Sequence, residues 1–295
     1  MGSLKPYMQL MRPANVVTAI SDILAGVAIA LLFVSNGAAL DVPVLIALMV
    51  STVGLYGGGV VFNDVFDAAL DARERPERPI PSGRVSEGGA TLLGVGLFLV
   101  GVVAAATLGA LPMFIALAIV GMCLLYDKWA KHHSIAGPLA MGLCRGLNLL
   151  LGISYSLVAL EQVWFLAVIP VIYIAAVTTI SRGEVHGGQR VPLLVSAILY
   201  GVVSASIVAF GIHHQGGILA IGMVLPFLLF VVPPLVTAIR TLEAGDVRKS
   251  VKHGVIGLIF MNAAWTAAAG MWGLTFAALL LFPVSIWLAK RFAVT

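Results

Sequence analysis

Residues 62–86 read FNDVFDAALDARERPERPIPSGRVS, and the organisation of the chain follows from them. They place Asn63, Asp64, Asp67 and Asp71 at the exit of a hydrophobic segment, with Arg73, Arg75, Arg78 and Arg84 directly after it. On a helix Asn63, Asp67 and Asp71 recur at i, i+4 and i+8, with Asp64 three before Asp67, which predicts one shared face. Carboxylates stacked on one face repel each other unless a cation sits among them. Hard oxygen donors suit Mg²⁺, which keeps several waters and completes its shell with phosphate oxygens. The arginines supply forked donors for the rest of the phosphate. The stretch reads as a diphosphate clamp.

Around it the chain is apolar. Of 295 residues 60% are hydrophobic and 10% charged, where a soluble domain would carry about 25% charged residues. This excludes a soluble domain and predicts an all-α polytopic membrane protein. Runs of about 20 apolar residues predict spans near 14–35, 42–65, 87–108, 110–126, 135–158, 163–181, 192–212 and 217–239. A further run over 253–289, interrupted at Gly270-Met271-Trp272-Gly273, predicts two more spans and a total of ten. Glycine is the natural contact residue between membrane helices, and Gly142-x-x-x-Gly146 is such a pair. Cys123 and Cys144 lie inside apolar segments and suggest neither a metal site nor a disulfide framework.

Charge placement supports the count of ten. Of 17 Lys and Arg, 16 fall at the termini or in the loops after spans 2, 4, 6 and 8, and Arg145 alone lies within a span. The bias orients that side toward the cytoplasm, with both termini on it, in what is read as the plasma membrane. The net charge of +4 is thus topological and does not point to nucleic acid. A polar segment at the end of span 2 and another at 181–190, four spans later, suggest two four-helix halves, 10–130 and 131–240, with extra C-terminal helices at 250–292.

The run Asn63-Asp64-Val65-Phe66-Asp67-Ala68-Ala69-Leu70-Asp71, followed by Arg78-Pro79-Ile80-Pro81-Ser82-Gly83-Arg84, resembles the first aspartate-rich motif and following loop of UbiA-type intramembrane prenyltransferases. The resemblance implies a single UbiA-like domain over 1–295 and a bundle usually of nine helices. It implies Mg²⁺-dependent transfer of a prenyl group from an allylic diphosphate to a small-molecule or lipid acceptor. It also implies a second aspartate-rich motif, and there the chain departs: Ser181-Arg182-Gly183-Glu184-Val185-His186-Gly187-Gly188 keeps one carboxylate. Arg182 is expected to take over phosphate binding, with Glu184 and His186 beside it, His186 as a candidate base. This version, with Cys144-Arg145-Gly146-Leu147-Asn148, suggests the EboC-like branch. A protein that binds or moves a prenylated or diphosphate-bearing lipid without catalysis is the alternative.

Further site residues are expected at other span ends. The resemblance places Arg12 on the diphosphate and Tyr126 beside a developing carbocation, which an aromatic face stabilises. It also implies a phosphate-binding lysine, Lys128 or Lys131. Arg78, Arg84, Asn148 and Arg182 complete the expected substrate contacts. Arg145, costly inside a bilayer, either pairs with Asp22 or reaches the diphosphate.

Overall fold

The computed structural model describes residues 4–34, 40–184, 187–214 and 216–292. His186, an expected site residue, lies outside them. Among the described residues the fold is all-helical: α1 (Lys5–Met11), α2 (Pro13–Leu31), α3 (Val42–Phe66), α4 (Ala68–Glu74), α5 (Glu87–Ala106), α6 (Ala110–Lys128), α7 (Ala136–Ile153), α8 (Leu157–Val163), α9 (Val168–Ser181), α10 (Arg190–His213), α11 (Gly217–Thr241), α12 (Ala244–Ala268) and α13 (Trp272–Phe292).

Local chemistry sets the boundaries. Asp41 caps α3 by accepting from the Val44 N–H at 3.2 Å, and Ser86 caps α5 by accepting from Gly89 at 3.1 Å. Gly270, at φ +73°, makes the sharp turn between α12 and α13 that splits the last apolar run. Prolines 226, 233 and 234 lie inside α11, tolerated because neighbouring helices supply the packing.

Among the described residues nine segments are long and apolar enough to cross a membrane, α8 and α9 acting as one continuous segment from Leu157 to Ser181. The fifth apolar run therefore ends at Ile153 and the sixth starts at Leu157, not at 158 and 163. The tenth long helix, α12, has 25 residues, about 37 Å at helical rise. It falls short of the apolar count because Asp246, Arg248, Lys249, Lys252 and Asn262 lie along it. Its second half is nonetheless enclosed, with Met261–Ala268 buried and Trp265 fully so. It packs against α2, α9, α10, α11 and α13.

Close approach depends on glycine. A Cβ on Gly26 of α2 would stand 2.7 Å from the Cα of Gly152 on α7, so those backbones touch. Gly142 and Gly146 do the same for α7 against Val171 and Ala167.

Contacts gather the connections at two ends. Arg12 meets Asp64, Lys131 meets Asp67, Arg182 meets the Ser134 carbonyl, and the Gly188 N–H donates to Leu242 O at 2.9 Å. At the opposite end the Asp41 N–H donates to the Tyr155 hydroxyl at 2.8 Å, and Phe33 packs on His214. The basic residues sit at the first of these ends.

Candidate functional site at the polar end of the bundle

The aspartate-rich stretch does not form one continuous helix. α3 stops at Phe66, Asp67 adopts φ −90° and ψ 0°, and α4 resumes at Ala68. The backbone bonds from Asp67 to Asn63 and from Asp71 to Asp67 persist across this joint, at 3.0 and 2.8 Å. The four polar side chains then separate onto two edges instead of the single expected face. Asn63 and Asp67 point toward the end of α6: the Asn63 amide donates to Asp127 at 2.8 Å, and Lys131 donates to Asp67 at 2.7 Å. Asp64 and Asp71, seven residues apart, point toward the following loop. Arg78 Nη1 bridges them at 3.3 and 2.6 Å, and Arg12 closes on Asp64 from the α1–α2 joint.

The loop that delivers Arg78 is anchored by packing. Ile80 and Val85 join Leu10, Val61 and Ala90 in a small hydrophobic cluster that fastens the loop and α1 onto α3 and α5. Arg84 serves the same scaffold: its Nε donates to Ser82 at 2.9 Å and its Nη1 to Gln9 at 3.0 Å. It does not face the carboxylates.

Below the cluster a cavity of about 290 Å³ runs into the bundle. Arg12, Asn63, Tyr126 and Asp127 form its polar mouth, Tyr56, Arg145 and Thr18 line its depth, and Ile174, Val177 and Leu258 give apolar walls. The floor is a buried polar network. Arg145 Nη2 donates to Asp22 at 3.1 Å and to the Thr18 carbonyl at 2.9 Å, while Nε lies 3.0 Å from Asp22 outside hydrogen-bond alignment. Asn148 and Asn262 each donate to Asp22, at 3.0 and 2.7 Å, and Asn148 accepts from Thr52 at 2.7 Å. A charge pair in an apolar interior persists only when its remaining valences are met this way. The Arg145 guanidinium also stands over the Tyr56 ring at 5.6 Å.

The structure thus brings Arg12, Asn63 and Tyr126 to the mouth, places Asp64, Asp67, Asp71, Arg78 and Lys131 in the ion-pair cluster next to it and outside the cavity lining, and sets Arg145 and Asn148 in the network beneath. It separates the two lysines: Lys131 faces Asp67, and Lys128 is exposed on the outer side of α6. Arg182 is exposed and spends a donor on the Ser134 carbonyl, lining neither this cavity nor its mouth. Glu184 is half-buried. Burial raises its carboxyl pKa, opposed by the nearby charges of Arg248 and Arg75.

Sequence reasoning did not select Tyr56, Asp127 or Asn15, all cavity residues. Tyr56 lies seven before Asn63 and shares its helix face. Asp127 adjoins Tyr126, and Asn15 lies three after Arg12. Cys123 and Cys144, expected to form neither a metal site nor a disulfide framework, lie side by side on α6 and α7 with sulfurs 3.8 Å apart, both lining the cavity.

Among the described residues no group of three or more His, Cys, Asp and Glu side chains converges for a metal ion. The donor set still fits Mg²⁺, which is usually held by one or two carboxylates plus substrate phosphates and not by an all-protein cage. Asn63 spends its N–H on Asp127, which leaves its carbonyl oxygen for a cation.

Fold and site together define a helical membrane bundle with a polar mouth, rich in carboxylates and basic groups, above an apolar cavity. The chain belongs to the UbiA prenyltransferase family, whose family model matches residues 23–246. It is 32% identical over 190 residues to a digeranylgeranylglyceryl phosphate synthase of Sulfurisphaera tokodaii, covering 64% of this chain and 65% of that one. It is 34% identical over 161 residues to a protein of the same name from Methanopyrus kandleri, covering 55% and 57%. The matches therefore span about half to two-thirds of the length of these relatives. Their name is not that of the EboC-like branch, so the resemblance is carried at the level of the family.

Two solved structures share the fold. The apo structure of a UbiA homolog from Aeropyrum pernix K1 superposes with TM-score 0.68 at 19% identity, over 84% of this chain and 96% of that one. A UbiA homolog from Archaeoglobus fulgidus bound to GPP and Mg²⁺ gives 0.59 at 12% identity, over 93% and 99%.

Proposed function

We propose that this chain is an integral membrane prenyltransferase that moves a prenyl group from an allylic diphosphate onto an acceptor. The observation that carries the reading is the ion-paired cluster of Asp64, Asp67, Asp71, Arg78 and Lys131 next to a largely apolar cavity whose mouth holds Arg12, Asn63, Tyr126 and Asp127. The diphosphate sits at that mouth and the prenyl chain lies between Ile174, Val177 and Leu258.

Asn63, Asp64, Asp67 and Asp71 are the residues that would hold Mg²⁺, which when bound supplies positive charge to the departing diphosphate. Arg12, Arg78 and Lys131 exchange their carboxylate partners for phosphate oxygens and stabilise the same developing charge. Carbon–oxygen cleavage sends the bonding pair to the diphosphate and leaves an allylic cation. Tyr126 and Tyr56 line the cavity where their ring faces stabilise it. An acceptor hydroxyl then bonds to that carbon, and its proton passes to the released diphosphate. Arg145 and Asn148 act from below, by fixing the α2–α7 wall through Asp22.

The names of the relatives describe a product with two geranylgeranyl chains on a glyceryl phosphate. A phosphate-bearing lipid is accordingly the acceptor class we assign. The basic end of the bundle faces the cytoplasm, in the plasma membrane, and the halves 10–130 and 131–240 each contribute one polar loop. An EboC-like specialisation rests on the single-carboxylate loop at 181–188. That loop also favours the second reading, a carrier of prenylated or diphosphate lipids, because Arg182 and Glu184 do not line the cavity.

Labelled geranyl diphosphate with Mg²⁺ and a membrane extract tests the assignment. The wild type is expected to form a lipid-soluble labelled product, and the folded Asp64→Asn/Asp67→Asn variant to form none and retain no diphosphate. Retention without product in every extract fraction, together with label crossing a reconstituted bilayer, selects the carrier.

A further inference from the structure

The transfer chemistry above leaves one chemically active pair on the cavity wall without a role. Cys123 of α6 and Cys144 of α7 stand with sulfurs 3.8 Å apart, close enough for one S–H to donate to the other. Both are free thiols, both are only partly buried, and both line the cavity. Cys123 is also backed by α3. A Cβ on Gly59 would stand 3.0 Å from its sulfur, so the thiol lies close against that backbone and has little room to retreat toward it.

Distance and access together select the chemistry. A disulfide holds its sulfurs at about 2.05 Å, so closure from 3.8 Å asks for a movement on the scale of a side chain. The helices that carry the pair already pack on each other. Reagents reach the sulfurs through a cavity walled by Ile174, Val177, Val255 and Leu258. A charged oxidant would have to shed its water to enter, at a large cost in free energy. A small apolar oxidant carries no such penalty.

We infer that Cys123 and Cys144 are a site of reversible oxidation, closed to an α6–α7 disulfide by an apolar organic hydroperoxide that enters through the cavity. One sulfur gives up its proton and attacks the hydroperoxide. An S–O bond forms as the O–O bond breaks, and the leaving alkoxide takes the proton, giving a sulfenic acid and an alcohol. The second sulfur then displaces the sulfenic hydroxyl. The S–S bond forms, the S–O bond breaks, and hydroxide leaves with the second thiol proton as water. The two thiols lose two electrons and the hydroperoxide gains them. The product ties the helix of Tyr126 to the helix of Arg145. Because the thiols share the cavity with the prenyl chain, an occupied cavity shields them. The shielding rests on the transferase reading; the disulfide does not.

The test uses the full chain in detergent, reduced and then treated with cumene hydroperoxide. Remaining thiols are alkylated and the digest is read by mass spectrometry. The expected product is one cross-linked peptide holding Cys123 and Cys144, about 2 Da lighter than its two thiol peptides together and released by dithiothreitol. Cys123→Ser and Cys144→Ser should each give no such product and leave an oxygen adduct on the remaining cysteine. Geranyl diphosphate with Mg²⁺, at about ten times its Kd, leaves about a tenth of the chains empty and should slow cross-linking about tenfold. Inorganic diphosphate with Mg²⁺, which has no chain, should change the rate by less than about twofold. Sulfinic acid on both cysteines without a cross-link, or disulfides only between chains, overturns the proposal. So does a rate unchanged by geranyl diphosphate that the chain retains. A chain that retains no geranyl diphosphate would instead remove the transferase reading, with the cross-link still scored by the first measurement.

Discussion

Arg145 and Asp22 meet in the interior of the bundle, Nη2 3.1 Å from Oδ1 and Nε 3.0 Å from Oδ2, with side chains 4% and 1% exposed. The pair joins α2 to α7 where Gly26 and Gly152 let those backbones touch. Of the two roles open to Arg145, this geometry favours the bridge: its donors already serve Asp22 and Thr18. Removing either charge alone leaves the other buried and unpaired, at a cost of about 3–5 kcal/mol. Asp22→Leu and Arg145→Met are each expected to lower unfolding stability in detergent by that order. The double variant should lose much less than the sum and keep geranyl diphosphate retention. A well-folded double variant that no longer retains the diphosphate would assign Arg145 to the ligand instead.

The lysines at the end of α6 differ in the same concrete way. Lys131 reaches Asp67 at 2.7 Å from the short turn at Ala130–His132, while Lys128 projects outward. A charged hydrogen bond contributes about 1.5–3 kcal/mol. Lys131→Ala should therefore lower kcat/KM for the diphosphate by about tenfold or more, with Lys128→Ala within about twofold. Equal losses in both variants would show that general positive charge, not position, is what counts.

These two cases show what the chain order reveals and what it hides. The membrane bundle is readable because apolar runs of span length and one-sided Lys and Arg leave few other solutions. The motif at Asn63–Asp71 is readable because so much charge at a span end is rare in such a chain. Its geometry is not. Asn63 and Asp67 are engaged by Asp127 and Lys131 from the end of α6 and the turn after it, and Asp64 and Asp71 by Arg12 and Arg78 from other segments, partners that the local sequence does not mark. Contacts between distant spans are hidden for a similar reason. Cys123 and Cys144 touch because α6 packs on α7, and neither helix alone carries a sign of it. Asn262 completes the Asp22 network from 240 residues away, with no local pattern to mark it.

The turn at Gly270 has a consequence for topology. With α12 and α13 as separate long helices, the last turn of α13 at Leu288–Phe292 comes beside Gln9, Arg12 and Arg78, at the end that carries the basic loops. Reporter fusions at both termini are expected to be active in the cytoplasm and silent outside it. A C-terminal reporter active outside would show that α12 does not cross the membrane, despite its 25 residues.

The second polar loop sets the metal count. Relatives with two aspartate-rich motifs can offer carboxylates from both halves, but here the loop at 181–189 offers Glu184 alone. Glu184 is half-buried beside the charges of Arg248 and Arg75, and the Arg182 side chain turns to Ser134. The positive charges of Arg248 and Arg75 acting on this one carboxylate disfavour a further cation there. We propose that the oxygen donors for a divalent ion come from Asn63, Asp64, Asp67 and Asp71. Mn²⁺ replacing Mg²⁺ in the presence of geranyl diphosphate, counted by electron paramagnetic resonance, should bind at one ion per chain. Glu184→Gln should leave that count unchanged, and Asp67→Asn should weaken binding strongly. Two ions per chain, one of them lost in Glu184→Gln, would restore a metal-binding role to the second half and move the diphosphate between the two loops.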